Sequence, residues 1–260
     1  MTVDSAKELP LIIESVEVST HCQGEEWLVI DFDRLAYLIA IIALGQAHHA
    51  AMIVHSIDPT TAVLGAGELK AQASAILTVQ GATPWIRDGF LFECISWIAA
   101  QQTAGPNDYL KDPHIKSTTQ GLDGLLIRVV AGQIEQATIF EDKCSENPRG
   151  IFSGPVMKSF QDYHRRTRSA ELLATTSELL RQAHLPPDRI ITAAARILRI
   201  EHRRYRARLA VGPDVNDRNA STAVRLKSEQ IQLVRGRCLL GSVGLLGKRS
   251  LNLHFFECCD

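Results

Sequence analysis

Apolar and polar positions follow three rhythms along this chain, and each rhythm predicts a different kind of element. Leu11 to Ser19 and Glu26 to Asp33 are enriched in Ile and Val, the composition of strands. From Leu35 to Val54 the apolar positions run almost unbroken, which predicts a buried helix of about 20 residues with Asp33 as N-cap. Gln46, His48 and His49 interrupt that run, so its apolar part is too short to span a bilayer. A second helix is expected near Glu68 to Val79. Pro84 opens a third, which runs to about Gln102 and is stopped by Gly105-Pro106-Asn107-Asp108.

The rhythm then shortens. Leu110 to Thr118 reads as a short strand that Pro113 confines to a sheet edge. Leu122 to Val130 and Glu135 to Cys144 are strand-like runs around the turn Ala131-Gly132-Gln133-Ile134, the pattern of a β-hairpin. After Asn147-Pro148-Arg149-Gly150 a helical pattern runs from Pro155 to Ala183, and Pro186-Pro187-Asp188 opens another helix through Arg199. Arg203 to Val211 alternates, with Arg204, Arg206 and Arg208 on one face and Tyr205, Ala207 and Leu209 on the other. The chain divides accordingly into an accessory α+β region over 1–80, an α/β core over 81–212 and a C-terminal extension over 213–260. Within that extension Gly236 to Asp260 is rich in Leu, Gly and Cys without a clear period.

Composition narrows the class. With 260 residues, 45% hydrophobic and 22% charged, the chain reads as a globular protein with a sizeable core. The start of the chain carries acids rather than a basic segment followed by an apolar run, so no export signal is expected. Six cysteines without a CxxC spacing then read as reduced thiols, which places the protein in the cytoplasm and away from membranes. The net charge of −1 hides an asymmetry. Residues 1–140 carry 7 Lys/Arg against 16 Asp/Glu, whereas residues 141–260 carry 21 against 13. A basic half points to a polyanion such as nucleic acid.

The chemistry concentrates on the hairpin. Asp123 stands at the start of the first strand, and Ile139-Phe140-Glu141-Asp142-Lys143 ends the second. Alternation puts Glu141 and Lys143 on one face, and antiparallel pairing brings Asp123 beside them. Two carboxylates can hold Mg²⁺ (or Mn²⁺), and an ammonium beside them can orient water or steady a charged phosphorus centre. The preceding helix carries Phe90, Glu93, Cys94 and Trp97 at helical spacing, which sets Glu93 on an apolar stripe as a fourth candidate.

Gly121-Leu122-Asp123-Gly124 followed by Glu141-Asp142-Lys143 resembles the signature of the PD-(D/E)XK, or restriction-endonuclease-like, nuclease superfamily. The resemblance implies an αβββαβ core with a mixed sheet, and hydrolysis of phosphodiesters in DNA rather than RNA. It implies Asp123 and Glu141 as metal ligands with the Asp142 carbonyl and Glu93, and Lys143 as the group that positions water. A fainter similarity, over Arg87 to Glu141, is to the nuclease subunit of Hachiman-type anti-phage systems, which implies bacterial defence and a helicase partner. Arg165, Arg166, Arg168, Arg204, Arg206 and Arg208 are the expected contacts to backbone phosphates.

Two other functions stay open on the same residues. One is a nucleic-acid-binding protein of this fold without catalysis. The other is an interaction subunit whose basic helices meet an acidic partner. Oligomeric state is not encoded in any motif. The Gly241 to Ser250 segment imitates a phosphate-binding loop, but its spacing is one residue too long and Arg249 replaces the hydroxyl. His48, His49 and His55 lack a carboxylate or thiol to complete a metal site.

Overall fold

The computed structural model describes residues 9–19, 22–55, 84–114, 121–145, 147–211, 237–246 and 250–258. Among the described residues, eight strands form one mixed sheet in the order β1-β2-β8-β7-β6-β5-β4-β3. They are β1 (Leu11–Ser19), β2 (Cys22–Val29), β3 (Asp108–Leu110), β4 (Gly124–Val130), β5 (Gln133–Cys144), β6 (Arg203–Val211), β7 (Arg237–Leu246) and β8 (Ser250–Cys258). The part that carries the candidate residues Asp123, Glu141 and Lys143 is the four-stranded block β3 to β6. There β3, β4 and β5 are antiparallel neighbours, and β6 runs parallel to β5. The chain is therefore of the α/β class with a mixed sheet.

Ala131 and Gly132 join β4 to β5, both at positive φ (50° and 71°), the backbone that a two-residue hairpin turn demands. The turn is thus tighter than the four residues expected, and β5 begins at Gln133. Glu135 is an extra residue between the pairs Val129–Ile134 and Arg128–Gln136, a bulge that steps the register. Downstream, Gly124 faces Phe140, and a Cβ there would lie 2.8 Å from the ring, so only glycine fits under that aromatic.

Helices cover both faces. On one side lie α1 (Phe32–Ala43), α2 (Ala47–His55) and α3 (Pro84–Thr103), sharing a cluster with Trp27 and Phe140. The apolar run after position 31 is two helices rather than one, because Gly45 takes a positive φ of 75° and breaks it. Asp31, not Asp33, caps α1: its carboxylate accepts the Arg34 N–H, the reach of an N-cap to the third helical residue. Among the described residues no helix is long and apolar enough to cross a membrane. The expected helix at Glu68 to Val79 lies outside the described residues.

The other face meets α4 (Pro148–Ile151), α5 (Met157–His164), α6 (Ser169–Gln182) and α7 (Pro187–Ala195), packed on Leu125, Ile127, Ile139, Tyr205 and Ala207. A π-helical stretch, Phe152–Val156, links α4 to α5 around Pro155, which has no N–H to give to a normal turn. The helix expected from Pro155 to Ala183 is broken at 165–168, where Arg166 has a φ of 65°. The edge strand β3 ends at Leu110, before Pro113, and is shorter and earlier than the pattern predicts.

Candidate active site

Alternation along β5 decides which side chains meet. Ile139 packs with α5 to α7 and Phe140 with α3, so Glu141 and Lys143 point to the first side and Asp142 to the second. The Gly124–Phe140 pairing sets Asp123 level with Glu141 across the hairpin. Lys143 Nζ lies 2.9 Å from Glu141 Oε2 and also donates to Asp123 Oδ2. The Asp123 carboxylate accepts the Asp142 N–H at 3.0 Å as well, which fixes its rotamer against the strand. The structure therefore brings Asp123, Glu141 and Lys143 together.

Glu141 is 4% exposed, an unusual position for a carboxylate. Burial raises its carboxyl above the usual range; Lys143 opposes that and Asp123 adds to it. Burial likewise works against the charge on Lys143, but Asp123 and Glu141 outweigh it and hold the ammonium well above its ordinary value. Lys143 is thus a firm cation between two crowded acids.

A second layer comes from α5 and the start of α6; of its members the pattern of the sequence singled out only Arg168, and for a different role. Ser159 donates to Glu141 Oε1. Arg168 in turn donates to Ser159 at 3.2 Å and forms a forked pair with Glu171, at 2.8 and 3.0 Å. Its guanidinium also lies 4.3 Å from the centre of the Tyr163 ring, and Tyr163 donates to Glu171 at 3.3 Å. Arg168 and Glu171 stand three apart on one helix face, a spacing that would have marked the pair.

Glu93 is placed differently from the expectation. It is drawn to His114, whose main-chain N–H it accepts at 2.8 Å and whose Nδ1 lies 2.9 Å from the same oxygen. Among the described residues no three His, Cys, Asp or Glu side chains converge as a metal-ligand set. Asp123 and Glu141 alone supply a pair of hard oxygen donors, which fits a cation that keeps most of its water, as Mg²⁺ does.

The arginines separate into two groups. Arg165 and Arg166 are exposed at the turn after α5. Arg208, expected on a phosphate-binding face, is instead 1% exposed. It donates to the Ser96 carbonyl at 2.7 Å and lies 4.3 Å from the Phe140 ring and 5.1 Å from that of Trp27. The reason is topological: β6 is an interior strand with β5 and β7 as neighbours, and the face that carries Arg208 lies under Trp27, Phe140 and α3. Asp142 is its register partner, and the acid and the base of this pair both bend toward neutrality. Burial, against the pull of Arg208, pushes the Asp142 carboxyl up to about 7. Burial, against the pull of Asp142, brings Arg208 down to about 9. Arg206 lies 3.7 Å from Glu25, and Arg204 is half-buried with an interaction of its own. Arg168 is committed to Glu171 as described.

No protein-family model, no curated protein and no solved structure matches this chain.

Proposed function

We propose that this chain is a Mg²⁺-dependent nuclease that hydrolyses phosphodiester bonds of DNA at Asp123, Glu141 and Lys143. The observation that carries this reading is the meeting of the Asp123 and Glu141 carboxylates on the Lys143 ammonium. The order helix, three antiparallel strands, helices and a parallel strand, from α3 to β6, supports the PD-(D/E)XK core that the motif suggests.

The residues divide the work as follows. Asp123 and Glu141 would hold the metal, with the carbonyl of Asp142, the residue after Glu141, as a further ligand. Bound there, Mg²⁺ supplies charge neutralisation and an acidified water. Lys143 keeps its proton, so it would orient an attacking water and meet the negative charge that develops on phosphorus. Ser159 fixes one oxygen of Glu141, which leaves the other, Oε2, turned to Lys143. Glu93 serves at one remove, through His114. Arg165 and Arg166 remain available for backbone phosphates. A role in defence beside a helicase follows only from the resemblance.

One observation favours a second reading, a DNA-binding protein without catalysis. Lys143 and Ser159 already satisfy both acids, which suits a closed charge cluster as well as a resting site. Incubation of the protein with linear and circular DNA, with and without Mg²⁺ or Mn²⁺, separates the two. Metal-dependent cleavage that Lys143→Ala abolishes is the expected result. Binding that survives chelation, with no cleavage under any metal, selects the second reading.

A further inference from the structure

Lys111 follows β3 directly and is tied to it, its N–H donating to the Leu125 carbonyl at 2.8 Å. Its side chain is half-buried, and its ammonium donates to the Asp112 carbonyl at 3.1 Å and lies 3.5 Å from His114 Nε2. Among the described residues no carboxylate reaches ion-pair distance of it, in contrast to Lys143 with its two. Burial pulls the ammonium below its usual value, and the more distant Glu93, Asp123, Asp112 and Glu171 only partly oppose this. A cation withdrawn from water with no opposite charge at ion-pair distance is costly unless an anion arrives to pair with it.

The neighbours are built to hold that ammonium still. Glu93 grips His114 at two points, through its main-chain N–H and through Nδ1. With Nδ1 donating to Glu93, Nε2 is left as an acceptor for Lys111. A Cβ on Gly121 would lie 3.5 Å from His114 Nε2 and 3.4 Å from Glu171 Oε1, so this chain of contacts closes on the loop just before Asp123.

We propose that Lys111 is a phosphate-binding cation whose ammonium pairs with a backbone phosphodiester of the nucleic acid beside Asp123. Glu93 and His114 are its positioning residues. The substrate class rests on the nuclease reading; the anion site does not require metal or cleavage.

The test uses the full chain and a fluorescent oligonucleotide in EDTA, with binding followed against salt and thermal stability measured in parallel. Lys111→Met keeps the apolar stem and removes the charge. It should weaken binding about tenfold, the scale of one charge-assisted hydrogen bond. It should also make the salt dependence shallower by about one released counterion, with no fall in melting temperature. Glu93→Gln leaves the charge of Lys111 in place, so it should weaken binding less and keep the slope.

A Lys111→Met protein that melts lower yet binds with unchanged slope has lost a structural lysine, and overturns the proposal. Wild-type protein that binds no oligonucleotide, but is stabilised by inorganic phosphate through Lys111, overturns the nucleic-acid assignment. Lost binding in Lys111→Met together with no cleavage by wild type under Mg²⁺ or Mn²⁺ supports the anion site and sinks the nuclease reading alone. Cleavage by Lys111→Met with unchanged KM and binding sinks the anion site alone.

Discussion

Lys143→Met isolates the charge that holds the site together. Methionine keeps the length and apolar body of the stem and deletes the ammonium that bridges Asp123 and Glu141. Those acids keep only 20% and 5% of their side-chain surface exposed, so neither can turn to water freely. Removing one partner of a fully buried pair costs about 3–5 kcal/mol. The Lys143 side chain is 30% exposed, and solvent screens part of that, which brings the expected loss to about 2 kcal/mol near neutral pH. The loss should also depend on pH. The Glu141 carboxyl already lies above its usual range through burial, opposed by Lys143 and reinforced by Asp123, and loses its main restraint in the variant. A carboxyl whose folded value exceeds its unfolded value stabilises the fold at low pH and ceases to as pH rises. The deficit of the variant is therefore smallest in mild acid and grows toward neutrality. Urea unfolding followed by circular dichroism at both conditions measures it. A deficit under about 0.5 kcal/mol near neutral pH would refute the argument that Lys143 restrains two buried acids.

Two further perturbations follow from other parts of the sheet. Asp142, with its carboxyl near 7 instead of 3.8, makes wild-type stability fall as pH rises across that interval. Asp142→Asn removes the titrating group, so the stability difference between the proteins should narrow or change sign over that interval and stay flat above it. A difference that is constant with pH contradicts the raised value. Gly124→Ala puts a methyl 2.8 Å from the Phe140 ring, which Arg208 backs at 4.3 Å, and should cost about 1–3 kcal/mol. Measured again in a Phe140→Leu background, the cost should shrink; equal costs in both backgrounds would show that the ring is not the obstacle.

What could be read from the sequence was whatever depends on near neighbours along the chain. Pro84 marked the start of α3, and the alternation about Ala131-Gly132 placed the hairpin and so brought Asp123 near Glu141 and Lys143. The register of the hairpin is set by the two-residue turn and the bulge at Glu135, and was not legible. Alternation also sorted Arg204, Arg206 and Arg208 onto one face, but said nothing of what covers that face. Only the parallel pairing of β6 with β5 and with β7 reveals Arg208 as a core residue. Glu93 shows the same limit. Its stripe on α3 was correct, yet its partner, His114, is 21 residues away in a loop without periodicity. The cap moved from Asp33 to Asp31 because both residues are equally suited by composition, and only the reach to the Arg34 N–H distinguishes them.

The strand order has a consequence for the history of each molecule. β8 lies between β2 and β7, so a segment near one end of the chain pairs with one near the other, Cys22 opposite Cys258. During synthesis β1 and β2 emerge early and wait for more than half of the polypeptide before their neighbour exists. In that interval the outer margin of β2 offers unpaired main-chain groups to any extended chain nearby, which is the circumstance that chaperones guard against. A nascent chain of this protein is therefore exposed to misassembly until β8 arrives, although the hairpin that bears Asp123, Glu141 and Lys143 has long since been made.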